Sequence, residues 1–156
     1  MYNRQKAVAY AQKWAFKRNP KFEKFDEMGG DCTNFISQCL FYGGIEFSYK
    51  ELGWFYYSLN NRAPAWTGVD ELFSFAINNR GEDGPRFKLV SIGEIEIGDV
   101  VQLKVGEGWT HTLLVTEIRS QKNLANVFVT GHDRDVLNVP LTYFNFNQIR
   151  FCKILN

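Results

Sequence analysis

Gly29-Gly30-Asp31-Cys32-Thr33-Asn34-Phe35-Ile36-Ser37-Gln38-Cys39-Leu40 is the stretch from which the rest of the chain can be ordered. A glycine pair ends a loop, Asp31 stands where a helix cap would, and a thiol follows on the first turn. Phe35, Ile36, Cys39 and Leu40 recur at helical spacing and Gly43-Gly44 closes the segment, which predicts a helix over residues 32–42. The first turn of a helix has N–H groups without partners and about half a positive charge, so it favours an anion. A thiolate is such an anion, and Cys32 is placed where its pKa should fall and its nucleophilicity rise. The competing reading of Cys32 is a small buried core cysteine.

Working outward, residues 3–18 carry Ala7, Tyr10, Ala11, Trp14 and Ala15 at the spacing of a half-buried helix, with Asn3 as N-cap and Asn19-Pro20 as terminator. An aromatic stretch from Phe47 to Trp66 has neither helical nor strand periodicity. Its rings either cover the core beneath a long loop or wall a substrate groove. In the second reading Trp54, Tyr56, Asn61, Arg62 and Trp66 are the substrate contacts. Thr67 then caps a third helix over residues 69–79. From Lys88 the period changes to two and β-branched residues take over. Strands are predicted over residues 88–91, 99–105, 110–119, 125–132 and 148–155, with turns at Gly106-Glu107-Gly108 and at 120–123. Helices followed by a strand meander describe one α+β domain over residues 1–156, its N-terminal helices packed on a C-terminal antiparallel sheet.

Composition narrows the function. A net charge of +1 without a Lys or Arg run removes the electrostatic footprint of a nucleic-acid binder. No stretch is long and apolar enough to span a bilayer, and residues 1–6 do not read as a signal peptide. The chain therefore reads as cytoplasmic, although a domain cut from a secreted precursor would look the same. Cys32 and Cys39 lie about 10 Å apart along one helix axis at ~1.5 Å per residue, beyond the roughly 7 Å reach of a disulfide. Cys152 sits in an apolar run with Ile149, Phe151, Ile154 and Leu155 and reads as core. Two histidines and cysteines seven apart do not make zinc-ligand spacing, and there is no Gly-rich phosphate loop, so no metal or cofactor is expected. The expected state is a monomer.

Both histidines fall where strands place them near one another. His111 shares its strand face with Leu113 and Val115. A turn centred between Gln121 and Lys122 sets His132 opposite His111, and a turn centred on Lys122 sets Asp133 there instead. Either supplies the polar partner that orients a general base.

Asp31-Cys32-Thr33-Asn34-Phe35 on a helix, Ile97-Gly98-Asp99-Val100-Val101-Gln102 on a strand and His111 heading the next strand resemble the papain-like hydrolases, in the branch of bacterial cell-wall peptidases and CHAP amidases. The opening residues 2–15, Arg18-Asn19-Pro20, the Cys motif, residues 60–68, His132, Asp135 and Pro140-Leu141 are similar to a putative amidase domain family of Gram-positive bacteria. The resemblance covers nearly the whole chain. It implies Cys32 as nucleophile, His111 as base and His132 as third polar residue, acting on an amide or peptide, cell-wall peptides among them. His132-Asp133-Arg134-Asp135 departs from the family's His-Thr-x-Asp, which opens the third role to His132, Asp133 or Asp135. No glutamine precedes the Cys as in papain-like peptidases, so the Cys32 N–H is the first candidate oxyanion donor. An acyl transferase on the same fold, and a catalytically silent peptide- or glycan-binding module, are the rival readings.

Overall fold

The Asn3 side chain accepts the Lys6 N–H at 2.9 Å and starts helix α1 (Arg4–Trp14). This is a computed structural model, and it describes residues 1–156. Helix α1 buries Ala7, Val8, Tyr10 and Ala11. It stops a turn before Arg18 because the Trp14 carbonyl accepts from His132 Nε2 at 2.9 Å and from the Lys17 N–H at 3.2 Å. Helix α2 (Cys32–Tyr42) has the predicted bounds, and it is buried on nearly every side. Its polar residues Thr33, Asn34, Ser37 and Gln38 are buried as well, and each has a hydrogen-bond partner.

The aromatic stretch, without periodicity in the sequence, folds into a small hairpin, β1 (Tyr56–Ser58) with β2 (Asn61–Arg62), and a short helix α3 (Pro64–Thr67). Pro64 occupies the first turn of α3, where its missing N–H costs nothing. Helix α4 (Val69–Asn78) follows, with Gly68 rather than Thr67 at its N-cap.

Six strands make the C-terminal sheet: β3 (Phe87–Val90), β4 (Val100–Val105), β5 (Gly108–Ile118), β6 (Val127–Gly131), β7 (Val136–Pro140) and β8 (Gln148–Ile154). Their spatial order is β3-β8-β4-β5-β6-β7, antiparallel throughout. The fold is α+β, as expected. Strand β7 was not readable as a strand, because Asn138 at φ +48° and Pro140 interrupt it; both are tolerated on the sheet's edge.

Alternation along the strands divides the core. Val100, Leu114, Cys152 and Ile154 meet α1 and α2 on one face, against Phe35, Ile36 and Leu40. Val101, Leu103, Leu113, Val115, Val127 and Val129 form a second cluster on the other face, closed by Ile95 and Leu141. All three cysteines are free and buried. No helix is long and apolar enough to cross a membrane.

Candidate active site

Cys32 is the first residue of α2 and only 4% exposed. Its sulfur rests on the backbone of β5 at His111: Sγ lies 3.7 Å from the Thr110 carbonyl, and the Thr112 N–H also bears on it. Thr33 Oγ1 is 3.8 Å away.

The end of α2 already holds an anion, the side chain of Asp133. Asp133 Oδ1 accepts the Asp31 N–H at 2.7 Å and Oδ2 accepts the Cys32 N–H at 3.3 Å. Gly30, at φ +111°, makes room for this carboxylate, since a Cβ there would stand 2.5 Å from Asp133 Oδ2. Asp133 and Arg134 themselves have φ +70° and +101°, two successive non-glycine residues in the left-handed half of conformational space.

This arrangement reverses the expected effect of the helix end on the thiol. Burial, followed by the Asp133 charge, pushes Cys32 up to about 12, while the Thr112 N–H and the Thr33 hydroxyl pull the other way. The favourable end of the helix dipole is spent on a carboxylate, and the sulfur beside it is a thiol at neutral pH.

Asp31 occupies the N-cap position, but its side chain makes no capping bond to α2, which corrects the expected role. Instead Oδ1 accepts the Phe25 N–H at 2.8 Å and Asn34 Nδ2 at 3.0 Å, and Oδ2 faces His132 Nδ1 and, at 3.4 Å, Arg18 Nε. His132 is buried and stacked on Phe35 with ring centres 3.7 Å apart. A carbonyl can only accept, so the His132 Nε2 bonded to Trp14 carries a hydrogen, and Nδ1 is committed to Asp31. Neither nitrogen is free to orient His111. His132 is thus part of the scaffold beneath the Cys32 loop. Asp135 pairs with Arg18 through bonds of 2.9 and 3.0 Å and is likewise engaged.

His111 pairs with Leu103 across β4 and packs edge-on against Phe144, centroids 5.9 Å apart, on the face that carries Leu113 and Val115. Its Nδ1 is buried with no hydrogen-bond partner. Burial lowers its pKa; the Asp133 carboxylate acts against that and Arg134 with it. No hydrogen bond joins His111 to Cys32. Next to the turn the pairs Ile118–Val127 and Glu117–Phe128 centre between Lys122 and Asn123, which neither expected turn gives. A register shift between Val115 and Glu117 then leads through Val115–Val129 and Leu114–Thr130 to the register that sets Asp133 rather than His132 opposite His111. Asp133 is also the one of the three acidic or polar candidates whose charge bears on both Cys32 and His111.

The aromatic residues expected to touch substrate are elsewhere. Trp54 and Trp66 are completely buried, their rings 4.8 Å apart, and each bonds α2 from the side: Trp54 Nε1 donates to Ser37 Oγ at 3.1 Å and Trp66 Nε1 to Asn34 Oδ1 at 2.9 Å. Tyr56 is buried too, its hydroxyl accepting the Glu23 N–H at 2.8 Å. These three are core and buttress the helix, because an indole can be wholly buried once its N–H has a partner. Arg62 lies over the Phe25 ring, 4.6 Å from its centroid, and bonds Leu59 and Thr67, while Asn61 is exposed on the small hairpin.

The family model described as "Putative amidase domain" matches residues 1–155. The chain belongs to that amidase family. Two Bacillus subtilis proteins, both described as uncharacterized, are similar to it. YjcM is 30% identical over 153 residues, which is 91% of this chain and 33% of YjcM. YhbB is 34% identical over 120 residues, 73% of this chain and 37% of YhbB. The chain thus spans about a third of the length of each. No solved structure gives a significant match. Membership of the amidase family points to hydrolysis of amide bonds.

Proposed function

We propose that this amidase-family chain is a cysteine-dependent amide hydrolase of papain-like type, with Cys32 as nucleophile and His111 as base. The observation that carries the reading is the pair of N–H groups, Asp31 and Cys32, already gathered on one anion beside the only sulfur at a helix start. Donors fixed in advance at the site where negative charge develops contribute the largest single share of many acyl-transfer accelerations. The Asp133 carboxylate stands where the oxyanion of the substrate would go.

In the reaction, Asp133 leaves the end of α2 and turns to the imidazole of His111. The His111 ring swings from its place against Phe144 to the Cys32 sulfur and takes its proton, and the thiolate attacks the amide carbonyl carbon. A C–S bond forms, and the oxyanion takes the vacated N–H groups. Collapse breaks the C–N bond, and His111 gives its proton to the departing amine. Water, losing a proton to His111, then attacks the thioester, releasing the carboxylic acid and the thiol. Peptide amides, cell-wall peptides among them, are the proposed substrates. Trp54, Tyr56 and Trp66 take no part in binding them.

The near-complete burial of the Cys32 sulfur, with a carboxylate in front of it, is the observation that favours the silent binding module as second reading. One experiment separates the two. The protein is incubated with muropeptides and a panel of peptide amides and followed by mass spectrometry. Hydrolysis is expected, with an acyl adduct on Cys32 and neither product nor adduct in a folded Cys32→Ala variant. Turnover retained by Cys32→Ala would end the hydrolase reading.

A further inference from the structure

A buried line of polar side chains runs from the surface to the Cys32 sulfur, and its hydrogens can be assigned one by one. It begins at Arg150, held between two rings with its guanidinium carbon 3.5 Å from the Phe73 centroid and 3.9 Å from that of Trp109. Arginine only donates. Its Nε lies 2.8 Å from Gln102 Oε1 and an Nη also reaches that oxygen, which fixes the orientation of the Gln102 amide. The Gln102 NH₂ therefore points inward, giving one hydrogen to the Val69 carbonyl at 3.0 Å and the other to Thr112 Oγ1 at 3.1 Å. Gln102, Thr112 and Thr33 are all fully buried.

Thr112 Oγ1 and Thr33 Oγ1 are 2.8 Å apart, and two hydroxyl hydrogens must be placed between them. If Thr33 donated to Thr112, the Thr112 hydrogen would have no acceptor in a fully buried site, a loss of the sort folded proteins avoid. If Thr112 donates to Thr33, the Thr33 hydrogen is free for its remaining neighbour, Cys32 Sγ. Only the second arrangement uses every hydrogen.

We infer that the Arg150–Gln102–Thr112 line orients the Thr33 hydroxyl as a donor to the Cys32 sulfur, so that Thr33 stabilises the thiolate and Gln102 is the positioning residue that sets the direction of the line. The inference rests on the reading of Cys32 as nucleophile and adds a thiolate donor to it. Thr33 works with the Thr112 N–H on the same sulfur, against burial and Asp133. The direction depends on a glutamine at position 102. A carboxylate there would still accept from Arg150, but it would also accept from Thr112. The Thr112 hydrogen would then turn outward, Thr33 would donate to Thr112, and the sulfur would lose its hydroxyl.

The test is the rate of Cys32 alkylation by iodoacetamide between pH 6 and 10, read by peptide mass spectrometry on the intact chain. Below the thiol pKa, a rise of one unit cuts the thiolate tenfold and raises its intrinsic reactivity by about threefold, a net loss of about threefold per unit. Thr33→Val is expected to slow alkylation by at least that factor across the range, and Thr33→Ser to restore it. Gln102→Glu, of nearly the same shape, is expected to slow alkylation in the wild-type background and to have no effect in Thr33→Val. An equal slowing in both backgrounds would mean that Gln102→Glu acts through its charge and would overturn the inference, as would unchanged rates in Thr33→Val. Should Thr33→Val not fold, Thr33→Ala supplies the background without a hydroxyl: it must slow alkylation, and Gln102→Glu must have no further effect in it. Alkylation requires no amide substrate, so this outcome stands apart from the turnover test of Cys32→Ala.

Discussion

Removing the Asp133 carboxylate should make the protein less stable and Cys32 more reactive, two changes of opposite sign from one substitution. Asp133 accepts two N–H groups at the start of α2, in contacts of 2.7 and 3.3 Å. Loss of a helix cap costs about 0.5–2 kcal/mol, and charge-assisted bonds lie at the upper end of that range. The left-handed backbone at Asp133 adds to the cost, because aspartate tolerates this conformation better than alanine does. A net destabilisation of about 2 kcal/mol is therefore expected for Asp133→Ala. On the sulfur, the Asp133 charge is the second cause, after burial, of the raised Cys32 pKa. Its removal should speed iodoacetamide alkylation at pH 7.5 by about threefold for each unit by which that pKa falls. Asp133→Asn separates the two effects: it keeps one acceptor for the helix end and loses the charge, so it should retain most of the stability and still show the faster alkylation. Urea denaturation gives the first quantity and peptide mass spectrometry the second. An Asp133→Asn variant alkylated no faster than wild type would refute the claim that this carboxylate opposes the thiolate. An Asp133→Ala variant as stable as wild type would refute the claim that it caps α2.

Two further outcomes follow from the buried histidines. His132→Leu leaves the Asp31 carboxylate and the Trp14 carbonyl without their bonds to the imidazole and should cost about 1–3 kcal/mol for each buried acceptor left unpaired, seen as a fall in the urea midpoint; a midpoint within error of wild type would show that His132 does not hold the Cys32 loop. Burial lowers the His111 pKa, so the unfolded chain, with an imidazole near ~6.5, takes up a proton before the folded one does. Stability should accordingly fall as the pH drops through that unfolded value and level off below the folded one. His111→Gln should remove this part of the acid sensitivity between pH 7.5 and 5.5, and an unchanged pH dependence in that variant would contradict it.

What could be read in the sequence was whatever local spacing dictates. Helix α2 was bounded correctly because Gly30 and Gly43-Gly44 frame a run with helical spacing, and β4 and β8 to within a residue, whereas β5 begins at Gly108, inside the expected turn. The placements that failed depend on contacts between distant segments. Asp133 reaches the end of α2 from about a hundred residues away, and His132 reaches the Trp14 carbonyl from the far end of the chain. No spacing rule connects such residues. The turn at Asp133-Arg134 gave no glycine signal, since two non-glycine residues hold the left-handed conformation there. For the aromatic stretch the missing information was burial: Trp54 and Trp66 are inside because α2 offers Ser37 and Asn34 as acceptors, and both acceptors look like surface residues in the sequence. One signal was available and went unused: Gln102, a polar residue in the middle of an apolar strand, marks a buried network.

The three features that make Cys32 look inert share a cause. The sulfur is a thiol, the N–H pair is occupied, and His111 lacks an orienting partner. Asp133 contributes to the first and is the whole of the second. It is also the acid that, on leaving, could supply the third. Asp31 and Arg18, by contrast, are tied into the scaffold by bonds to α2, His132, Asp26 and Asp135. On the proposed reading, then, His111 must swing off Phe144 to reach the sulfur, and the N–H pair is closed by one side chain on a strained turn. A substrate carbonyl, competing for the same two N–H groups, has only that side chain to displace.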